Sequence, residues 1–150
     1  MEMQRRTFLK TTGAAVACAC LASTGLSQAM EKLMAQPLPP DSYRIEGNKL
    51  ILDLSKVPKL QETGGSASLE ADKKKIIIVH PAEQDYKAFM NKCTHMGSTL
   101  AYKPQDGFIQ CPLHGSRFDM SGKVLKGPAK TPIAQFKTTL NKSELTVELS

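Results

Sequence analysis

Cys93-Thr-His-Met-Gly97 and Cys111-Pro-Leu-His-Gly115-Ser116 are the two stretches from which the rest of the chain is read. Each supplies one cysteine and one histidine, in the order Cys-x-His, fifteen residues, Cys-x-x-His. Thiolate and imidazole are the side chains that hold zinc and iron–sulfur clusters. A disulfide between Cys93 and Cys111 would need no histidine two or three residues after each cysteine, so the repeated pairing points to a metal centre. Gly97 and Gly115 let backbone come close to a buried group and offer it N–H donors. His80, the third histidine, ends an apolar run before Pro81 and has no cysteine neighbour. It reads as a surface histidine, not a ligand.

Around these stretches the chain reads as short strands. Lys49 to Leu54 alternates imperfectly, as a half-buried strand does. Lys75-Ile-Ile-Ile-Val-His80 is β-branched and reads as a central strand ended by Pro81, with Tyr86 to Met90 as its hairpin partner. Ser98 to Tyr102 and Phe108 to Cys111 are expected to pair around the turn Pro104-Gln-Asp-Gly107. Lys123 to Leu125, Ile133 to Leu140 and Glu144 to Leu149 complete the set. No long amphipathic helix is expected after residue 35. Closely spaced strands joined by turns argue for an all-β domain over residues 42–150.

The two ligand stretches strongly resemble those of the Rieske family, over about residues 45–150. That resemblance implies stacked antiparallel sheets with a small cluster-binding part at about 91–119. It also implies one [2Fe–2S] cluster, held by Cys93 and Cys111 on one iron and by His95 and His114 on the other. Replacing two thiolates by neutral imidazoles removes two negative charges from the centre, which raises its potential above that of an all-cysteine ferredoxin. Ser116 stands where high-potential relatives have a serine hydroxyl donating to a bridging sulfide. Phe118 stands where they often carry a tyrosine, and phenylalanine cannot donate, so a potential intermediate for such centres is expected. Gly127-Pro128-Ala129 resembles the proline loop that shields the cluster from a third side. Quinol-oxidising relatives have disulfide-forming cysteines at the positions of Ser98 and Leu113, which this chain lacks. Met96 and Leu113 would suit an exposed apolar tip for a redox partner.

The first 29 residues read as an export signal. Gln4-Arg5-Arg6-Thr7-Phe8-Leu9-Lys10 resembles the twin-arginine motif, an Ala-rich segment follows, and Ser27-Gln28-Ala29 fits cleavage after Ala29. The apolar run is short for a membrane span of ~20 residues, so retention as an anchor is the alternative. Cys18 and Cys20 follow no lipobox. Twin-arginine export carries folded proteins, so a cluster can be installed before the thiols meet an oxidising space. Residues 30–41, with Pro37-Leu38-Pro39-Pro40, read as a linker stiffened towards an extended form.

The chain has 150 residues, 41% of them apolar and 5% aromatic, with a formal charge of +6. That allows one domain with a modest core, for which a cluster that staples loops is a useful addition. The basicity is mild and unclustered along the sequence, which argues against nucleic acid. Three histidines in all exclude an oxygenase's own mononuclear iron site beside the cluster. A structural zinc site on the same four ligands is the rival from another class. The expected function is that of an exported electron-transfer protein, a carrier or small subunit of an extracytoplasmic oxidoreductase without its own substrate site. Its partner would be a cytochrome or a larger oxidoreductase subunit. The alternative is the iron–sulfur subunit of a quinol-oxidising cytochrome bc-type complex, with quinol as a further partner. Location is expected to be periplasmic or extracytoplasmic, soluble or anchored to the cytoplasmic membrane.

Overall fold

Ile76, Ile77, Ile78 and Val79 are all fully buried, although successive side chains of a strand point to opposite faces. An apolar run without alternation therefore demands cover on both sides. The computed structural model, which describes residues 36–150, supplies it. The export signal expected over residues 1–29, with Cys18 and Cys20, lies outside the described residues.

The described residues form twelve strands: β1 (Gln36–Pro37), β2 (Tyr43–Glu46), β3 (Lys49–Asp53), β4 (Ser66–Ala71), β5 (Lys74–Ala82), β6 (Asp85–Met90), β7 (Ala101–Lys103), β8 (Phe108–Gln110), β9 (Arg117–Phe118), β10 (Val124–Lys126), β11 (Gln135–Asn141) and β12 (Glu144–Glu148). One short helix, Pro58–Gln61, and two single 3-10 turns are the helical parts among the described residues. The large sheet runs β1-β4-β5-β6-β11-β12-β3-β2 and the small one β10-β9-β8-β7. All pairs are antiparallel except β1 with β4.

Ile76 and Ile78 join Leu50, Leu52, Leu145 and Val147 in one core, enclosed by the large sheet. Ile77, Val79 and Phe89 point the other way, onto Leu100, Tyr102, Ile109 and Phe118. Full burial of each such side chain contributes ~1.5–3 kcal/mol. Cys93 and Cys111 belong to this second core. The central strand thus fixes the small sheet, and the cysteines with it, against the large one.

Three expectations are corrected. β5 does not end at Pro81 but continues to Ala82, with a register shift between Val79 and Ala82. Proline, which donates no ladder hydrogen bond, is tolerated at such an irregularity. His80 is 5% exposed rather than a surface residue. Its ring stacks on Tyr86 at 4.2 Å, and its Nδ1 lies 3.0 Å from the Glu62 carbonyl oxygen. Within the segment read as a linker, Gln36–Pro37 pairs with Ala67 and Ser68, and the Leu38 N–H donates to the Ser68 carbonyl. Leu38 packs on the first core, and that apolar contact holds the segment to the sheet edge.

Candidate metal centre

Two loops share one backbone geometry, the first leading from β6 into β7 and the second from β8 to β9. In the first, the Cys93 N–H donates to the Ser98 carbonyl at 2.8 Å and the Gly97 N–H to the Cys93 carbonyl at 2.8 Å. In the second, the Cys111 N–H donates to the Ser116 carbonyl at 2.8 Å and the Gly115 N–H to the Cys111 carbonyl at 3.0 Å. Gly97 and Gly115 sit at φ +74° and +75°, where other residues are strained. Their N–H groups close the loops, so the role expected for them as donors to a buried group is corrected to that of loop formers.

Each loop turns its cysteine in and its histidine out. Cys93 and Cys111 are 2% and 1% exposed, and both thiols are free. His95 and His114 are exposed, with ring centroids 5.0 Å apart and planes at 78°. Among the described residues, no three Cys, His, Asp or Glu side chains are grouped to hold a metal ion. The four donors instead divide into an inner thiol pair and an outer imidazole pair, which fits a centre of two irons with two protein ligands each.

The surroundings hold this arrangement. Asn91 accepts the Leu100 N–H on its side-chain oxygen at 2.7 Å, pinning the base of the first loop. Thr94 Oγ1 donates to the Thr131 carbonyl at 2.7 Å. Ser116, fully buried, accepts the Ala129 N–H on Oγ at 3.0 Å, which ties the second loop to Gly127-Pro128-Ala129. Pro128 is exposed on that third loop, and Phe118 is fully buried beneath the cysteines in the second core. Sequence reasoning missed Asn91 and Thr94, because one side-chain hydrogen bond to a distant backbone leaves no pattern. A groove of about 670 Å³ separates Lys92, His95 and Met96 from Thr131, Pro132 and Ile133.

Behind the third loop, Asp119 fixes a turn. Burial pushes its pKa up, but hydrogen bonds from the Ser121 hydroxyl and the Ser121 and Lys123 N–H groups prevail and lower it. Folding thus favours the carboxylate. That contribution is present above the ordinary carboxylate range and fades as pH falls through the lowered value.

Ser116→Ala is expected to destabilise the protein by about 1–3 kcal/mol, since it orphans the buried Ala129 N–H. A urea titration that matches the parent chain would show that this bond holds nothing.

The comparisons with known proteins follow the same lines. A family model described as the Rieske [2Fe-2S] domain matches residues 51–137, and one for the twin-arginine translocation signal matches residues 2–22. A relative from Trichormus variabilis, described as cytochrome b6-f complex iron-sulfur subunit 2, is 33% identical over 142 residues, 88% of this chain and 77% of that one. The cytochrome b6-f complex iron-sulfur subunit of Chlorobaculum tepidum is 24% identical over 152 residues, 100% of this chain and 78% of its own. Among solved structures, the cyanobacterial plasma membrane Rieske protein PetC3 from Synechocystis superposes with a TM-score of 0.51 at 29% identity, covering 55% of this chain and 85% of that one.

Proposed function

The chain belongs to the Rieske [2Fe–2S] family, and from that premise we propose that it is an exported one-electron carrier between protein partners. The cofactor is a Rieske-type [2Fe–2S] cluster. Cys93 and Cys111 would hold the inner iron, and His95 and His114 the outer one. When bound, such a cluster takes up and releases one electron. The division of the donors by burial is the observation that carries the reading. Thiolates inside keep solvent from the sulfur ligands, and exposed imidazoles give a partner a short path to the metal. Ser116 uses its oxygen to accept the Ala129 N–H, which leaves its own proton to donate towards the cluster. Phe118 packs there without a donor.

The twin-arginine signal supports export across the cytoplasmic membrane. We place the domain at residues 42–150, after a signal at 1–29 and a linker at 30–41 whose end docks on the sheet. Among the described residues no helix is long and apolar enough to cross a membrane. The names of the relatives favour a second reading, a place in a cytochrome b6-f-type complex. Ser98 and Leu113, without the interloop disulfide of the quinol-oxidising type, speak for the first.

Purification of the native protein from membrane and soluble fractions tests both. A reduced protein with a Rieske paramagnetic signal and no b-type cytochrome supports the carrier. Co-purification with a b-type cytochrome supports the complex, and absence of iron and acid-labile sulfide overturns both. His80→Ala is expected to keep the full signal while costing about 1–3 kcal/mol for the lost buried ring. Loss of the signal in a variant that stays folded would make His80 part of the centre.

A further inference from the structure

The net charge of the described residues lies entirely in the segment that carries the two ligand loops and the small sheet. Residues 91–133 carry Lys92, Lys103, Arg117, Lys123, Lys126 and Lys130 against Asp106 and Asp119. The remaining described residues carry ten basic and ten acidic side chains. The ion pairs follow the same division. Among the described residues, those of Arg44 with Glu46 and Glu144, Lys56 with Asp41, Lys87 with Asp85, and Lys137 with Glu148 all lie outside 91–133.

The charge is also placed around the ligand loops. Lys92 lies beside Cys93 and lines the groove with His95 and Met96. Lys126 and Lys130 bracket Gly127-Pro128-Ala129. Lys130 sits between Ala129, bonded to Ser116, and Thr131, bonded to Thr94. All three lysines are exposed. No Asp or Glu occurs in residues 86–105, 107–118 or 120–143. Met96, Leu113 and Leu125, at 67%, 55% and 59% exposure, are three of the four large apolar side chains that face solvent among the described residues. Exposed apolar tips within a rim of one charge sign suit a transient interface, in which the rim steers the encounter.

We propose that this end is a docking face for an acidic redox protein, whose carboxylates meet Lys92, Lys126 and Lys130 while its redox group approaches His95 and His114. The inference rests on the electron-carrier reading and specifies the partner's surface. A lipid headgroup could answer the same charge, but Met96 and Leu113 adjoin the exposed His95 and His114 in their loops, where electrons must pass.

Stopped-flow oxidation of the reduced, cluster-loaded full chain tests it, with an acidic plastocyanin and a basic mitochondrial-type cytochrome c as acceptors. With the acidic acceptor the rate should fall steeply as ionic strength rises from about 0.01 to 0.3 M, because screening shortens the reach of the rim. With the basic acceptor it should not fall. Lys92→Glu/Lys126→Glu/Lys130→Glu should lower the low-salt rate with plastocyanin about tenfold or more and remove the salt slope. Lys49→Glu/Lys59→Glu/Lys142→Glu, on the neutral part, should change neither. Equal effects of the two triple variants, or a flat salt profile with plastocyanin, would overturn the proposal. So would binding to anionic phosphatidylglycerol vesicles that the first triple variant loses with rates unchanged. The paramagnetic signal separates the two levels: its absence from the parent chain sinks the carrier reading, and its presence without a charge effect sinks only the docking face.

Discussion

Cys111→Ser and His114→Ala each abolish the paramagnetic signal of the reduced protein and strip it of iron and acid-labile sulfide; that is the largest effect expected of any substitution here. The two changes act on opposite sides of the centre. Cys111 is 1% exposed within the second core, and serine nearly preserves its volume. The small sheet therefore keeps its packing while the thiolate is lost. A neutral hydroxyl offers little to an iron that needs a negative sulfur ligand. His114 is exposed, so alanine there removes almost no buried surface and any loss is loss of a ligand. Agreement between a buried and an exposed variant separates ligation from folding. Metal analysis and low-temperature resonance of both proteins check it. A parent-like signal with full iron in His114→Ala would sink the assignment, and zinc in the parent chain at one equivalent would replace it with a structural site.

The ligand loops were legible because their chemistry is local. Two Cys/His pairs, each followed by a glycine, specify donors and turns within six residues. The Ile76-to-Val79 run was legible as a central strand for the same reason, since an unbroken β-branched stretch needs cover on both faces. What escaped depends on partners far along the chain. Ser66–Ala71 forms β4 although Ser-Ala-Ser-Leu-Glu-Ala has little strand preference; its ladder to β5 overrides that. His80 looked exposed because Pro81 reads as a strand end, and only the stack with Tyr86 shows otherwise. The charge looked unclustered because its basic residues are spread singly over 91–133. That Lys92, Lys126 and Lys130 belong to one surface emerges only from the bonds that join the ligand loops to Ala129 and Thr131.

Removal of the cluster is expected to release the ligand loops and the small sheet while the large sheet stays folded. Strands β7 to β10 are two or three residues long, too short to hold a sheet on their own. No disulfide links the loops: Cys93 and Cys111 are free, and Ser98 and Leu113 offer no sulfur. A cluster bridging Cys93 and His95 to Cys111 and His114 is then the one covalent tie between them. The first core has its own strands of five to nine residues and does not contain either cysteine. After chelation of iron, amides of Cys93, Gly97, Cys111 and Gly115 should exchange with an opening free energy near zero, whereas those of Ile76, Ile78, Leu145 and Val147 stay protected. The uncovered face of β5 and β6 would show Ile77, Val79 and Phe89 to solvent, so the apoprotein should bind a hydrophobic dye that the loaded protein ignores. Hydrogen exchange followed by mass spectrometry reads both regions at once. Equal loss of protection in the large sheet would mean that the two cores unfold as one unit, and unchanged protection at the loops would mean that their hydrogen bonds to Thr131 and Ala129 suffice without the cluster.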